Sequence, residues 1–115
     1  LEVKEKDQDT YRKYRILAYT TGQYRAYQNL VNQKIYDMAL DSLISTIGRC
    51  EEYSSDAKEL GCEGEISDIQ AKAEEALEAF KIDTEKALEV YDMKDRTAYS
   101  KEIYQILDDA GLSEE

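Results

Sequence analysis

Proline, histidine and tryptophan are all missing from this chain of 115 residues, and phenylalanine occurs once. Proline removes a backbone donor and jams the turn before it, so in its absence long helices run unpunctuated. Without histidine there is no Ser-His-Asp triad, no imidazole metal ligand and no Glu-x-x-His di-iron pattern. Two cysteines, Cys50 and Cys62, are too few for a disulfide framework or a thiolate zinc site. On one unbroken helix they stand about 18 Å apart, beyond disulfide reach. A bridge requires a break at Ser54-Ser55; two free, mostly buried thiols are the preferred expectation. Glycine is sparse, and neither GxGxxG nor GxxxxGK[ST] occurs, so no phosphate-cradling loop is indicated. No apolar run approaches the roughly 18 residues of a membrane span.

What is present is charge, spread unevenly. Residues 1–36 carry seven basic and four acidic side chains, the remainder eight and 22, for a net charge of -11. So acidic a chain repels phosphate backbones, and nucleic acid is not an expected partner. The basic first segment is expected to lie against the acidic helices, with an anionic ligand or partner as the other reading. Paired carboxylates such as Glu51-Glu52, Glu74-Glu75 and Asp108-Asp109 are neighbours on a helix and point about 100° apart, so they form a solvated face rather than a shared site. No catalytic residue, metal site or cofactor is expected.

Apolar spacing defines the architecture. From about residue 9 to 32, Tyr14, Leu17, Thr21, Tyr24, Gln28 and Val31 recur in steps of three and four, with Asp7 or Asp9 as the cap and Gly22 inside the pattern. Tyr36, Leu40, Leu43, Ile47, Cys50, Ser54 and Ala57 form a second stripe, widened by Ile44 and Leu60. Its phase slips near Asn32-Gln33-Lys34, which reads as a tight turn in preference to one helix over 9–53. Gly61-Cys62-Glu63-Gly64 marks a reversal. Ile66, Ile69, Ala73, Ala76, Phe80, Ala87 and Val90 then form one long helix to Tyr91, with Asp83 on its stripe. After a polar turn at 92–96, Tyr99, Ile103, Ile106 and Ala110 form a fourth helix, with Gly111 at its C-terminus and Ser113 opening another. The expectation is a single all-α domain, an antiparallel up-down-up-down four-helix bundle.

Ten tyrosines, six of them in the first 36 residues, are the oddest feature of the composition. Tyr14 and Tyr24 fall on the expected core stripe, where each hydroxyl needs a partner. Arg15 and Arg25 stand beside them, and Thr21 and Gln28 lie on the stripe itself. These polar groups satisfy one another inside the core, or they line a pocket between helices in which arginine binds an anion. Arg15, Thr21, Tyr24, Arg25 and Gln28 are therefore the candidate ligand-binding residues.

The run from Leu40 to Tyr53 (LDSLISTIGRCEEY), a polar turn, and the run from Ile66 to Phe80 (ISDIQAKAEEALEAF) resemble the extracytoplasmic four-helix bundle of methyl-accepting chemotaxis receptors. Arg15 to Asn29 is similar to the aromatic-containing end of the first helix in that family. The likeness covers residues 15–93 and is one of helix length and apolar spacing. It implies a ligand-sensing domain held between two transmembrane helices at the extracytoplasmic face of the membrane. Such a domain forms a homodimer, binds a small molecule between helices and moves its last helix as a piston or by rotation. Contact with the membrane is then made only through flanking segments, and Leu1, which is not an initiator, fits an excised domain. No arginine motif of the amino-acid receptors can be matched, so no ligand carries over. A second resemblance, of Gln33 to Leu43 to half a tetratricopeptide unit, supports a non-enzymatic interaction or adaptor domain in the cytoplasm, although a shift of 34 residues does not reproduce the pattern.

Overall fold

The computed structural model describes residues 2–113, the side chains of residues 2–6 excepted. Five helices follow one another: α1 (Glu2–Asn32), α2 (Tyr36–Leu60), α3 (Glu63–Ala76), α4 (Thr84–Tyr91) and α5 (Arg96–Asp109), and the described residues contain no strand. α1 and α2 pack as a long antiparallel hairpin, and α2 is the shared partner of α1, α3, α4 and α5. Its apolar stripe appears where spacing places it: Leu40, Leu43, Ile44, Ile47, Cys50 and Ala57 are wholly buried, while Ser54 is exposed.

Each reversal has a local cause. α1 ends at the expected turn, where Ile35 N–H donates to Leu30 O at 2.9 Å and Lys34 N–H to Val31 O at 2.9 Å. Lys34 takes φ 62° there, a left-handed geometry that costs a residue with a Cβ about 1 kcal/mol. The next turn repeats the pattern with glycine: Gly61, at φ 75°, closes α2 while Cys62 N–H reaches Ala57 O at 2.9 Å. α2 runs unbroken through Ser54-Ser55, and Cys50 and Cys62 are both buried and free. α1 is already helical at Asp7 and Asp9, so neither is its cap; Asp9 pairs with Arg12 at 3.5 Å instead.

The expected third helix is two. After α3, Leu77–Phe80 tightens into a 3-10 turn and Lys81 adopts φ 57°, ending the helix with neither glycine nor proline. Asp83 then caps α4, its Oδ1 accepting from Lys86 N–H at 2.8 Å; a residue read as a polar guest on the stripe is the start signal of a new helix. The kink turns Phe80 into the core, edge-on to Tyr27 with ring centroids 6.4 Å apart. Asp95 caps α5 in the same way, accepting from Thr97 N–H at 2.9 Å and Ala98 N–H at 3.2 Å. Gly111, at φ 75°, follows the end of α5; the helix expected to open at Ser113 lies mainly outside the described residues.

Five helices instead of four change the topology. Arg12 of α1 stands opposite Asp56 and Glu59 at the end of α2. At the close of α4, Tyr91 lies over Gly48 and donates to Glu52 at 2.9 Å. α5 then runs back toward the start of α2: Tyr99 donates to Asp41, Tyr104 to Asp37, and Leu112 shares a small cleft with Tyr36. Arg12 of α1 and Leu112 after α5 therefore lie by opposite ends of α2, in a body 58 × 28 × 19 Å in extent.

Gly48 makes the α4 contact possible, since a Cβ there would meet the Tyr91 ring at 2.3 Å. Gly48→Ala is expected to lower stability by about 1–3 kcal/mol through overpacking. In thermal melts the penalty should shrink when Tyr91→Ala is added, because the clash disappears with the ring. Equal losses in both backgrounds would contradict this packing.

Candidate interaction surface

Two adjacent apolar series run along α1, and the structure buries most deeply the one that spacing did not single out, while Leu17, Tyr24 and Val31 of the expected stripe pack half-buried against the core. Ile16, Thr20 and Tyr27 face inward, one residue or about 100° from the expected stripe. Thr20, fully buried, donates its hydroxyl to Ile16 O at 2.9 Å within its own helix, so the core carries no orphaned group there. Tyr14, expected in the core, is 71% exposed.

This rotation sets the position of each candidate binding residue. Arg15 is exposed, its guanidinium 5.9 Å from the Tyr11 ring centroid, and it lines a cleft of about 200 Å³ with Arg12, Ile16, Tyr53 and Asp56. Thr21 and Tyr24 are half-buried, and Tyr24 stacks at a tilt on Tyr27 with centroids 5.8 Å apart. Arg25 and Gln28 are exposed. From Arg15 to Gln28 the helix advances about 20 Å, so one small molecule does not touch all five. Of the set, only Arg15 borders that cleft.

Away from this stripe, polar groups pair with one another. Arg49 lies 5.0 Å from the Tyr19 ring centroid and donates to Glu52 at 3.1 Å, while Tyr19 packs edge-on against Tyr53. Between α2 and α5, Asp37, Met38, Asp41, Arg96, Tyr99 and Tyr104 surround a cleft of about 160 Å³, with Arg96 set 5.3 Å above the Tyr99 ring. Burial drives the Cys50 thiol up to about 12, with Glu74 and Glu51 adding to the shift, which leaves it a protonated, inert core group. No group of three or more Cys, Asp or Glu capable of holding a metal gathers among the described residues. Nor is any described helix long and apolar enough to cross a membrane.

Exposed aromatic surface is what remains. Tyr11 is 64% exposed and Tyr14 lies one turn on, followed on the same outward face by Ala18, Gly22 and Arg25. α1 packs against α2 and α3, which cover its inner side. Because Arg12 already stands opposite the last turn of α2, the helix upstream of it reaches past its main neighbour. Spacing in the sequence singled out Tyr14 but assigned it to the core, and it left Tyr11 aside. No family model, curated protein or solved structure matches this chain.

Three phenols are held protonated by their surroundings. Burial raises Tyr27, with Tyr24 adding to it; burial and then the bond to Glu52 push Tyr91 up to about 12; burial and then the bond to Asp41 raise Tyr99 further. Their unfolded values lie near 10, so the native state holds these protons more tightly. The stability they contribute is whole below about pH 10 and is lost as pH climbs through the native values. In absorbance at 295 nm, the folded chain near pH 11 should keep Tyr91 and Tyr99 un-ionised until denaturant releases them. Ionisation of both at that pH in the folded state would contradict the bonds to Glu52 and Asp41.

Proposed function

We propose that this chain is a non-enzymatic helical interaction domain that binds a protein partner through the outward face of α1. The observation that carries the reading is the exposure of Tyr11 and Tyr14 on a helix whose opposite side is committed to the core. Tyrosine brings a large, rigid apolar area and a hydroxyl for hydrogen bonding, the combination that anchors protein interfaces. Arg15 and Arg25 border or share the face and Asp7 stands one turn before Tyr11, so charged groups of both signs rim the aromatic rings. A photo-reactive residue at position 14 should form protein adducts in cells that express the chain, and one at exposed position 75 of α3 should not. Adducts should fall at least tenfold when Tyr11→Ser accompanies the probe. Equal labelling at both positions sinks the reading.

The sensor reading that comes from the chemotaxis-receptor resemblance is supported by a different feature. Arg12 and Arg15 bring two guanidinium groups to the cleft beside Tyr53, a wall suited to a small anion. Weighing against it is Asp56, which lines the same cleft and stands 3.7 Å from Arg12, so one of the two guanidinium groups is already engaged, and the interaction reading is preferred. A thermal-shift screen with small carboxylates and amino acids separates the two. A rise of several degrees that Arg15→Ala abolishes would restore the sensor at the extracytoplasmic face. No shift is the outcome expected of an interaction domain.

A further inference from the structure

The steps of three and four that begin at Ile66 continue without a slip through Phe80 and Asp83 to Val90, yet the helix breaks between them. Neither glycine nor proline stands between Gly64 and Gly111, and Leu77, Glu78, Ala79 and Lys81 are all good helix formers. The break is made by Lys81 at φ 57°, a left-handed geometry that disfavours a residue with a Cβ. Lys81 N–H donates to Glu78 O at 3.1 Å, and Lys86 N–H donates to Asp83 Oδ1 at 2.8 Å. The reversal after α2, by contrast, has Gly61 in the left-handed position.

The break also turns the chain back on itself. Gln70 of α3 donates to Glu51 at 3.3 Å, and Tyr91 at the end of α4 donates to Glu52 at 2.9 Å, so both reach adjacent residues of α2. In one straight helix Gln70 and Tyr91 would stand about 31 Å apart. A chain that is helical through 77–83 therefore cannot seat Tyr91 over its own Gly48 while α3 keeps its place.

We propose that residues 77–83 form a hinge whose straightening passes α4 and α5 to a second copy of this chain, in reciprocal exchange. The seat they take there is the one seen within a single chain. α2 is the main neighbour of both helices: Tyr91 fits the notch at Gly48, Tyr99 donates to Asp41, and Val90 and Ile103 join the cluster around Leu40 and Ile44. Lys86 pairs with Glu102 at 2.8 Å and links α4 to α5 inside the exchanged unit. What changes is confined to the hinge, where Lys81 becomes helical and Asp83 loses its capping role. Phe80 stays two turns on from Ala73, on the face that α3 already buries.

Reciprocal exchange closes at two copies. Each copy carries a net charge of -11, so the pair is repelled at low salt and favoured as salt rises. The unit must leave α2 before it changes partners, which exposes Val90 and Ile103, so the two forms interconvert slowly. The outward face of α1 takes no part, and the exchange is independent of the function proposed above.

Two substitutions of equal charge push the hinge in opposite directions. Lys81→Gly relieves the left-handed turn and weakens a straight helix, whereas Lys81→Ala keeps the turn strained and favours the helix. The native chain and both variants are refolded at about 1 mM in high salt, diluted, and sized by chromatography with light scattering. A dimer contains two hinges, so the association constant of Lys81→Ala should exceed that of Lys81→Gly at least about a hundredfold, with the native chain between them. In dimers of isotope-labelled and unlabelled chains, a nuclear Overhauser contact should join the Tyr91 ring of one copy to Gly48 of the other. Equal dimerisation of the two variants overturns the proposal, as does a dimer that lacks this contact. If circular dichroism shows Lys81→Ala unfolded, the native chain decides: one that refolds wholly as monomer overturns the exchange.

Discussion

Everything in this fold rests on one helix whose residues 39–50 are all buried or half-buried. α2 carries Leu40, Leu43, Ile44 and Ile47 into the centre, each worth about 1.5–3 kcal/mol when fully removed from water. Between them sit Ala39, Gly48, Cys50 and Ala57, small enough for the surrounding helices to approach. Size alternates along the stripe for a reason: large side chains fill the gaps between helices and small ones accept the crossing points. At Gly48 this goes furthest, and the Tyr91 ring occupies the space of a missing side chain. The main cluster, which also takes in Tyr27, Phe80, Val90 and Ile103, forms around this axis, and a smaller one holds Ile16, Cys62 and Ile66.

A hub of this kind leaves the helices around it one-sided. α1 is longer than the partner it lies on and gives its inner series to the core, so the Tyr11 and Tyr14 rings on its other side stay exposed. Ion pairs add little to this arrangement. Arg12 with Asp56 and Glu59, and Lys86 with Glu102 at 2.8 Å, lie at the surface, where such pairs are worth about 0–1 kcal/mol. The basic character of the first segment is thus only partly consumed by the acidic helices beneath it. Arg12 makes such contacts, while Arg15 and Arg25 remain on exposed ground.

Much of the helical plan was legible in the spacing of apolar residues, and its failures have definite origins. The stripe of α2, the glycine turn at Gly61 and the inward faces of α3 and α5 could be read because one apolar series clearly dominated. α1 offered two, Leu17–Tyr24–Val31 and Ile16–Thr20–Tyr27, both with helical spacing; periodicity cannot choose between neighbouring stripes when aromatic residues surround the helix. The division into α3 and α4 went unseen because Lys81, an ordinary residue, takes the left-handed turn that glycine usually marks. Asp83 was the available signal. The cleft that Met38 and Tyr104 share had none, since its members are joined only by the folding of α5 back onto α2.

The seam between α1 and α2 also sets how the pair answers strain. The two helices pack antiparallel along most of the length of α2, so sliding one on the other would disturb their contacts along the whole seam at once. Such a seam resists shear better than it resists opening like a zip from one turn.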